Sequence, residues 1–437
     1  MNEIHDLRDY CSVRKKYTVI QIQPSWLSSL CPRSRVWARY YAEHSKNTIY
    51  IHKAMLRYIS SVLIATLSIP FALAHAATLE VGDGKSFQRI EDAVLQAKSG
   101  DEIVVHAKDD GSPYRQPVLL VSTSKLTIRA ADPKKNVVLD GDGFVYSGRG
   151  SLPRAIVQFD PTANGCTLDG FKLINARNES FNGAGVRINQ ASDIIIRNCE
   201  IRDNDMGIMS NGDSAKQTGS RQLIEKCKIT DNGTTKDPGY NHNLYLGGTS
   251  VTVKNCEIAR AVTGSNLKSR AHLNYIIGNH IHYSANRELD LVDAVGTTDV
   301  PGSDSFLIGN TIVKDPKCNG NKAVVHFGRD GKAVHDGTIW LVGNTIRTPF
   351  VSPVVVVSSG LGVVFIDNVI DDDNAKQKGA LVSLRDPRAT ASGKGNTIPE
   401  RFAVHLPNDE EKLPTELDAP PELPNDIKNL KEIQARP

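Results

Sequence analysis

The feature that most constrains this chain is a short pattern recurring between residues 171 and 398. An apolar segment is followed by Cys, Asn or Phe, then any residue, then Ile or Leu. It stands at Phe171-Lys-Leu173, Cys199-Glu-Ile201, Cys227-Lys-Ile229, Cys256-Glu-Ile258 and Asn279-His-Ile281, and continues at Asn310-Thr-Ile312, Asn344-Thr-Ile346, Asn368-Val-Ile370 and Asn396-Thr-Ile398. The steps are 28, 28, 29, 23, 31, 34, 24 and 28 residues. Each instance follows a segment such as Ile194–Ile196, Val251–Val253, Phe306–Ile308 or Ile339–Val342, whose apolar or alternating character marks a strand.

A β-rich period of this length excludes a helical solenoid. A leucine-rich repeat would show a Leu-x-x-Leu-x-Leu frame, which is absent, and a propeller blade needs about 40 residues or more. What fits is a coil of three short strands whose neighbours stack in parallel register. Asn and Cys at one fixed position then form ladders along the stack. The variable steps place insertions at the turns. Composition agrees: 34 glycines and only 6% aromatics suit many short strands and tight turns, and 23% charged with 40% hydrophobic residues excludes wholesale disorder and a multi-span membrane protein.

At the N-terminal flank, Ser86–Lys98 carries apolar residues at 87, 90, 93, 94 and 97, the stripe of an amphipathic helix, before Ser99–Val105 turns into a strand. A solenoid must close its open end, and such a helix does so. With this helix, the Gly100-Asp101-x-Ile103 turn and the Asn-x-Ile coils, the chain resembles the right-handed parallel β-helix proteins of the pectin-lyase-like superfamily over roughly residues 78–398. The expected fold is all-β: a right-handed parallel β-helix solenoid over 77–398 with an N-terminal amphipathic capping helix. Residues 399–437, with seven prolines and many acids, read as a C-terminal cap and tail. The resemblance is specific for fold and not for activity, since that fold hosts lyases, hydrolases, epimerases and adhesins.

Met55-Leu-Arg-Tyr58 opens a basic segment, Ile59–Leu73 is apolar, and Ala74-His-Ala76 is a small-x-small cleavage site. The run is about 15 residues, short of the roughly 20 that span a bilayer. Residues 55–76 thus read as a signal peptide, and 1–54 as an unstructured extension or a mis-assigned start; the competing reading starts at Met1 and keeps 58–74 as an uncleaved anchor. A secreted or periplasmic body follows, with no stable membrane association after cleavage. Residues 1–76 hold ten Lys/Arg against four Asp/Glu, which leaves 42 against 45 in the remainder. A near-neutral body gives no support to nucleic-acid binding. Cys166, Cys199, Cys227, Cys256 and Cys318 are odd in number and repeat-spaced, without a CxxC, so they read as small buried hydrophobes and not a disulfide framework.

Three coils align by their leading strands: Asn243–Gly247, Asn266–Arg270 and Glu288–Val292, in steps of 23 and 22 residues. Strand side chains alternate faces. Leu244/Leu246, Leu267/Ser269 and Leu289/Leu291 are expected inward. Asn243, Asn266 and Glu288 are expected outward in one column, and Tyr245, Lys268 and Asp290 in the next, with Arg270 beside them. Turns add Asn241, His242, Arg287 and Asp293, and earlier coils add Arg187 and Met209. The bland reading is a solvated polar face with an ion pair worth under about 1 kcal/mol.

The mixture of a phenol, an amine, a guanidinium, an imidazole and carboxylates on adjacent rungs favours a site. The resemblance implies a groove that binds an acidic polysaccharide. A lyase acting on a uronic acid needs a base, a cation for the enediolate and a proton donor. Lys268 or His242 is the candidate base, Arg270 the carboxylate clamp and Tyr245 the acid. Asn241, Asn243, Asn266, Arg187 and Arg287 would bind substrate, and Glu288, Asp290 and Asp293 would hold Ca²⁺, which takes oxygen ligands. A glycoside hydrolase needs two carboxylates flanking the bond, but the Asn-x-Asp, Asp-Asp and Gly-His-Gly pattern of hydrolases on this fold is absent. A non-catalytic carbohydrate-binding or surface-structural β-helix is the remaining alternative.

Overall fold

The structure, a computed structural model, describes residues 76–150, 152–236, 240–331, 334–372, 378–425 and 427–428, all within the unit His75–Pro437. The extension expected over 1–54 and the signal peptide expected over 55–76, Ala76 excepted, lie outside the described residues.

The chain is a right-handed parallel β-helix whose strands pair in parallel from coil to coil. What bends it at the corner before each repeat position is a single left-handed residue. Asn198, Lys226, Asn255, Gly309, Gly343 and Asp367 have φ of 53°, 52°, 52°, 61°, 63° and 54°, and each stands directly before a repeat position. A left-handed residue is costly without glycine, so the residue that follows must stabilise the turn.

It does so through the ladder. Asn279 Oδ1 accepts the Cys256 N–H at 2.9 Å, and Asn310 Oδ1 accepts both the Asn279 N–H at 2.9 Å and its Nδ2 at 3.0 Å. The pattern repeats through Asn344, Asn368 and Asn396. In the earlier coils cysteine fills the slot: Cys256 Sγ accepts the Cys227 N–H at 3.4 Å. All five described cysteines are free and buried.

The repeat strands, among them Glu200–Arg202, Lys228–Thr230, Glu257–Ala259, His280–His282 and Thr311–Val313, build one face as a ten-stranded sheet. The other two faces merge into one sheet because two strands pass the corner without a break. Leu244–Lys254 and Leu267–Ile277 are 11 residues each, and the first pairs with both Met206–Asn211 and Gln222–Glu225. No loop is inserted there, which accounts for the shortest step in the repeat. Leu244, Leu267 and Leu289 are in register, and they are buried with Leu246, Ser269 and Leu291 as the alternation requires.

The N-terminal helix is Ile90–Gln96, shorter than the expected stripe, with Ile90, Ala93 and Val94 buried in the core cluster that fills the coil. The parallel ladder runs past residue 398: Phe402–His405 pairs with Gly379–Leu384, and Glu411–Lys412 turns back antiparallel on it. Beyond them, Leu423 and Ile427 pack on an outward cluster containing Phe306, Trp340 and Val364.

Candidate functional site

The face that begins with Leu244 and Leu267 carries one outward column through seven rungs. The register places Gln158, Arg187, Met209, Tyr245, Lys268, Asp290 and His326 one above the other. Rungs stand about 4.8 Å apart, so consecutive members touch. Arg270, two residues on from Lys268, sits in the adjoining column. Tyr245, Lys268, Arg270, Arg287, Asp290 and Asp330 line a groove of about 550 Å³, with His242, Met206 and Met209 against its floor.

Asp290 is the hub. One carboxylate oxygen accepts from Arg287 at 3.0 Å and lies 2.9 Å from His326 Nδ1; the other accepts from Lys268 Nζ at 2.9 Å. Burial alone would push this carboxyl up, but the His326 hydrogen bond and the charges of Lys268 and Arg287 hold it well below the usual carboxylate range. Lys268 reaches Asp330 too, at 3.1 Å. Burial disfavours its charge, yet the two carboxylates outweigh that and raise the ammonium above its ordinary value. A lysine acting as base must be neutral part of the time. The surroundings of Lys268 do the opposite, and Lys268 is a fixed positive charge.

Arg270 donates Nε–H to the Tyr245 oxygen at 3.1 Å and a terminal N–H to the Asp293 carbonyl. With the guanidinium on its oxygen, Tyr245 faces the groove. His242, the other candidate base, is buried. Burial first, and then the Lys268 charge, lowers it to about 4, so it is neutral near pH 7. Its Nδ1 accepts the Ser265 N–H at 3.0 Å, which leaves the ring proton on Nε2. His242 therefore offers a donor to the groove, not a lone pair.

Three residues expected outward face inward, and the turn residue Asn241 is buried with them. Asn243, Asn266 and Glu288 are fully buried and Asn241 nearly so. Asn243 accepts from Asn232 and donates to Asn266, Asn266 donates to Glu288 at 2.6 Å, and Glu288 accepts the Ser284 N–H. Asn241 is spent on Thr234 and Phe181. The reason is positional: these residues precede their strands and sit in the corner, where alternation does not hold. They form a second internal polar ladder and do not bind substrate. Of the residues expected to bind substrate, Arg187 and Arg287 do face outward.

The three carboxylates expected to hold Ca²⁺ do not converge. Glu288 is buried beside Lys314 Nζ, 3.8 Å away. Asp290 is taken up by Lys268, Arg287 and His326. Asp293 accepts the backbone N–H groups of Asp330 and Gly331 at 2.7 and 2.8 Å. Among the described residues no three His, Cys, Asp or Glu side chains come together as metal ligands. This donor set does not fit a calcium ion.

Sequence reasoning missed His326, Asp330 and Lys314. The step from Asp290 to His326 is 36 residues and contains a long insertion, so the register is not visible by counting. The alternation in Val325-His-Phe327, one coil after the Asn310 ladder position, is the signal that marks His326 as outward.

The sequence matches no protein-family model and no curated protein. Among solved structures it is similar to a polygalacturonase from Erwinia carotovora ssp. carotovora, with 11% identity and a TM-score of 0.50 over 77% of this chain and 96% of that one. It is also similar to a pectate lyase (13%, TM-score 0.42, 73% and 79%) and to an alginate lyase from Paenibacillus (16%, TM-score 0.39, 74% and 95%). At these identities the likeness shows the fold alone, the right-handed parallel β-helix.

Proposed function

We propose that the protein is exported, binds an acidic polysaccharide along this groove and cleaves it at a uronic acid by β-elimination. The observation that carries the reading is the column Tyr245–Lys268–Asp290 with Arg270 alongside, which puts two fixed cations and a phenol on adjacent rungs of one open groove. In the elimination, a base takes the proton alpha to the uronate carboxylate. The electron pair enters a new C=C bond as the glycosidic C–O bond breaks, and the leaving oxygen takes a proton.

The residues divide this work by charge. Arg270 and Lys268 hold the uronate carboxylate and the negative charge that builds on it. Tyr245, as a phenolate held by the Arg270 N–H, is the groove group that takes the alpha proton, and the O–H so formed returns it to the leaving oxygen. Lys268 is held charged, His242 presents an N–H, and Asp290 is shared among Lys268, Arg287 and His326. The Arg270 N–H stays on the phenol oxygen through both steps. Hydrolysis is less well supported. It needs a carboxylic acid with a raised pKa beside a second carboxylate, and the carboxyl raised by burial, Glu288 at about 7, faces the interior.

The mutual pairing of Lys268 with Asp290 and Asp330 favours one second reading, a groove that binds acidic glycans without cutting them. A single assay separates the two. The purified protein is incubated with a panel of uronans, the ultraviolet absorbance of the unsaturated product is followed, and glycan binding is measured in parallel. Product on one uronan supports elimination. Binding without product, lost in Lys268→Ala, supports the second reading, and neither product nor binding refutes both.

A further inference from the structure

The column continues beyond the groove floor to a second cationic position. Arg187 lies three rungs below Lys268 in strict register, about 14 Å along the axis at the strand spacing of stacked coils. It is half-buried and outward, and its guanidinium touches Met209 Sδ at 3.9 Å. Among the described residues no carboxylate pairs with it. Its charged neighbour is another arginine, Arg154, which adds like charge and likewise has no ion pair among them. Burial, and then the Arg154 charge, pushes the Arg187 guanidinium below its ordinary value. A half-buried guanidinium without a counter-charge is costly, and an arriving anion would relieve that cost.

Between the two cationic positions stand Met209 and Tyr245, partly exposed over a buried cluster of Met206, Ala155 and Ala184. Methionine is an adaptable surface for the apolar face of a sugar ring. We infer that Arg187 forms a second carboxylate subsite, so that the ligand is a run of uronic acid residues carrying two carboxylates about 14 Å apart, with the intervening rings over Met209 and Tyr245. The inference rests on the proposed function and adds its specificity: a contiguous oligouronate is preferred over a glycan with isolated acids. The planar guanidinium fork matches a carboxylate in two hydrogen bonds.

The test is a length series of oligouronates titrated against the full exported protein by calorimetry. In the wild type, affinity is expected to step up once the oligomer spans both positions. Arg187→Gln should remove that step, about tenfold in Kd for a lost charged hydrogen bond, while leaving the shortest oligomers unchanged. Arg187→Lys should restore part of it. Unchanged melting temperatures establish that both variants are folded, as expected for an outward side chain.

A wild type that binds oligouronates with a length step that survives in Arg187→Gln overturns the subsite and leaves the proposed function standing. A wild type that binds no oligouronate overturns both. A step seen only with a sulfated, carboxylate-free series overturns the assignment to uronate.

Discussion

Asn310→Ala tests the element that holds the coils together. The Asn310 amide makes four hydrogen bonds. Oδ1 accepts from the Asn279 N–H at 2.9 Å and from Asn279 Nδ2 at 3.0 Å, while Nδ2 donates to the Ile276 carbonyl at 2.8 Å and to Asn344 Oδ1 at 2.9 Å. Asn279 Nδ2 keeps its bond to the Val253 carbonyl, and Asn344 Oδ1 keeps the Asn310 N–H. The Asn279 N–H and the Ile276 carbonyl lose a ladder partner in a buried place. Each such loss costs about 1–3 kcal/mol, so alanine should destabilise by about 2–6 kcal/mol.

Asn310→Cys should cost roughly half as much. A thiol already serves at this slot in Cys256, accepting the Cys227 N–H at 3.4 Å and pointing at the Lys254 carbonyl at 3.3 Å. Urea unfolding followed by far-ultraviolet circular dichroism measures both variants, read as midpoint shifts at unchanged m. An alanine cost below about 1 kcal/mol, or cysteine as costly as alanine, would refute the claim that ladder hydrogen bonding stabilises the corner.

Three further outcomes are expected. Tyr245→Phe should lower kcat by about 10²- to 10⁴-fold with little change in KM, whereas Arg270→Lys, which keeps the charge and loses the fork, should raise KM; equal effects on both parameters in steady-state kinetics would remove the division of roles. Glu288, raised by burial to about 7 from an ordinary 4.5, binds more protons folded than unfolded between those values. Stability should therefore fall by about 3 kcal/mol as pH rises through that window, and Glu288→Gln should flatten the slope of melting temperature against pH. Cys199, Cys227 and Cys256 should resist thiol reagents in the native protein and react on unfolding; fast labelling of all three while folded would contradict their burial.

Local periodicity carried much of this protein in its sequence. The spacing of Asn-x-Ile and Cys-x-Ile specifies stacked coils, because a ladder requires the same side chain at the same corner in each one. The alternation Leu244-Tyr-Leu246, Leu267-Lys-Ser269, Leu289-Asp-Leu291 specifies which side chains face the core. With constant steps of 23 and 22 residues it brings Tyr245, Lys268 and Asp290 together. These follow from a strand period of two, which depends on nothing distant.

Tertiary structure decided the rest. At the corners, where strand alternation ends, Asn243, Asn266 and Glu288 turn into a buried ladder. His326 and Asp330 reach the site across an insertion whose length conceals the register. Most consequential is the protonation of Lys268. An isolated lysine on an exposed strand reads equally as base or cation, and only the two carboxylates that converge on it, one from the next coil and one from the coil after, hold its charge in place.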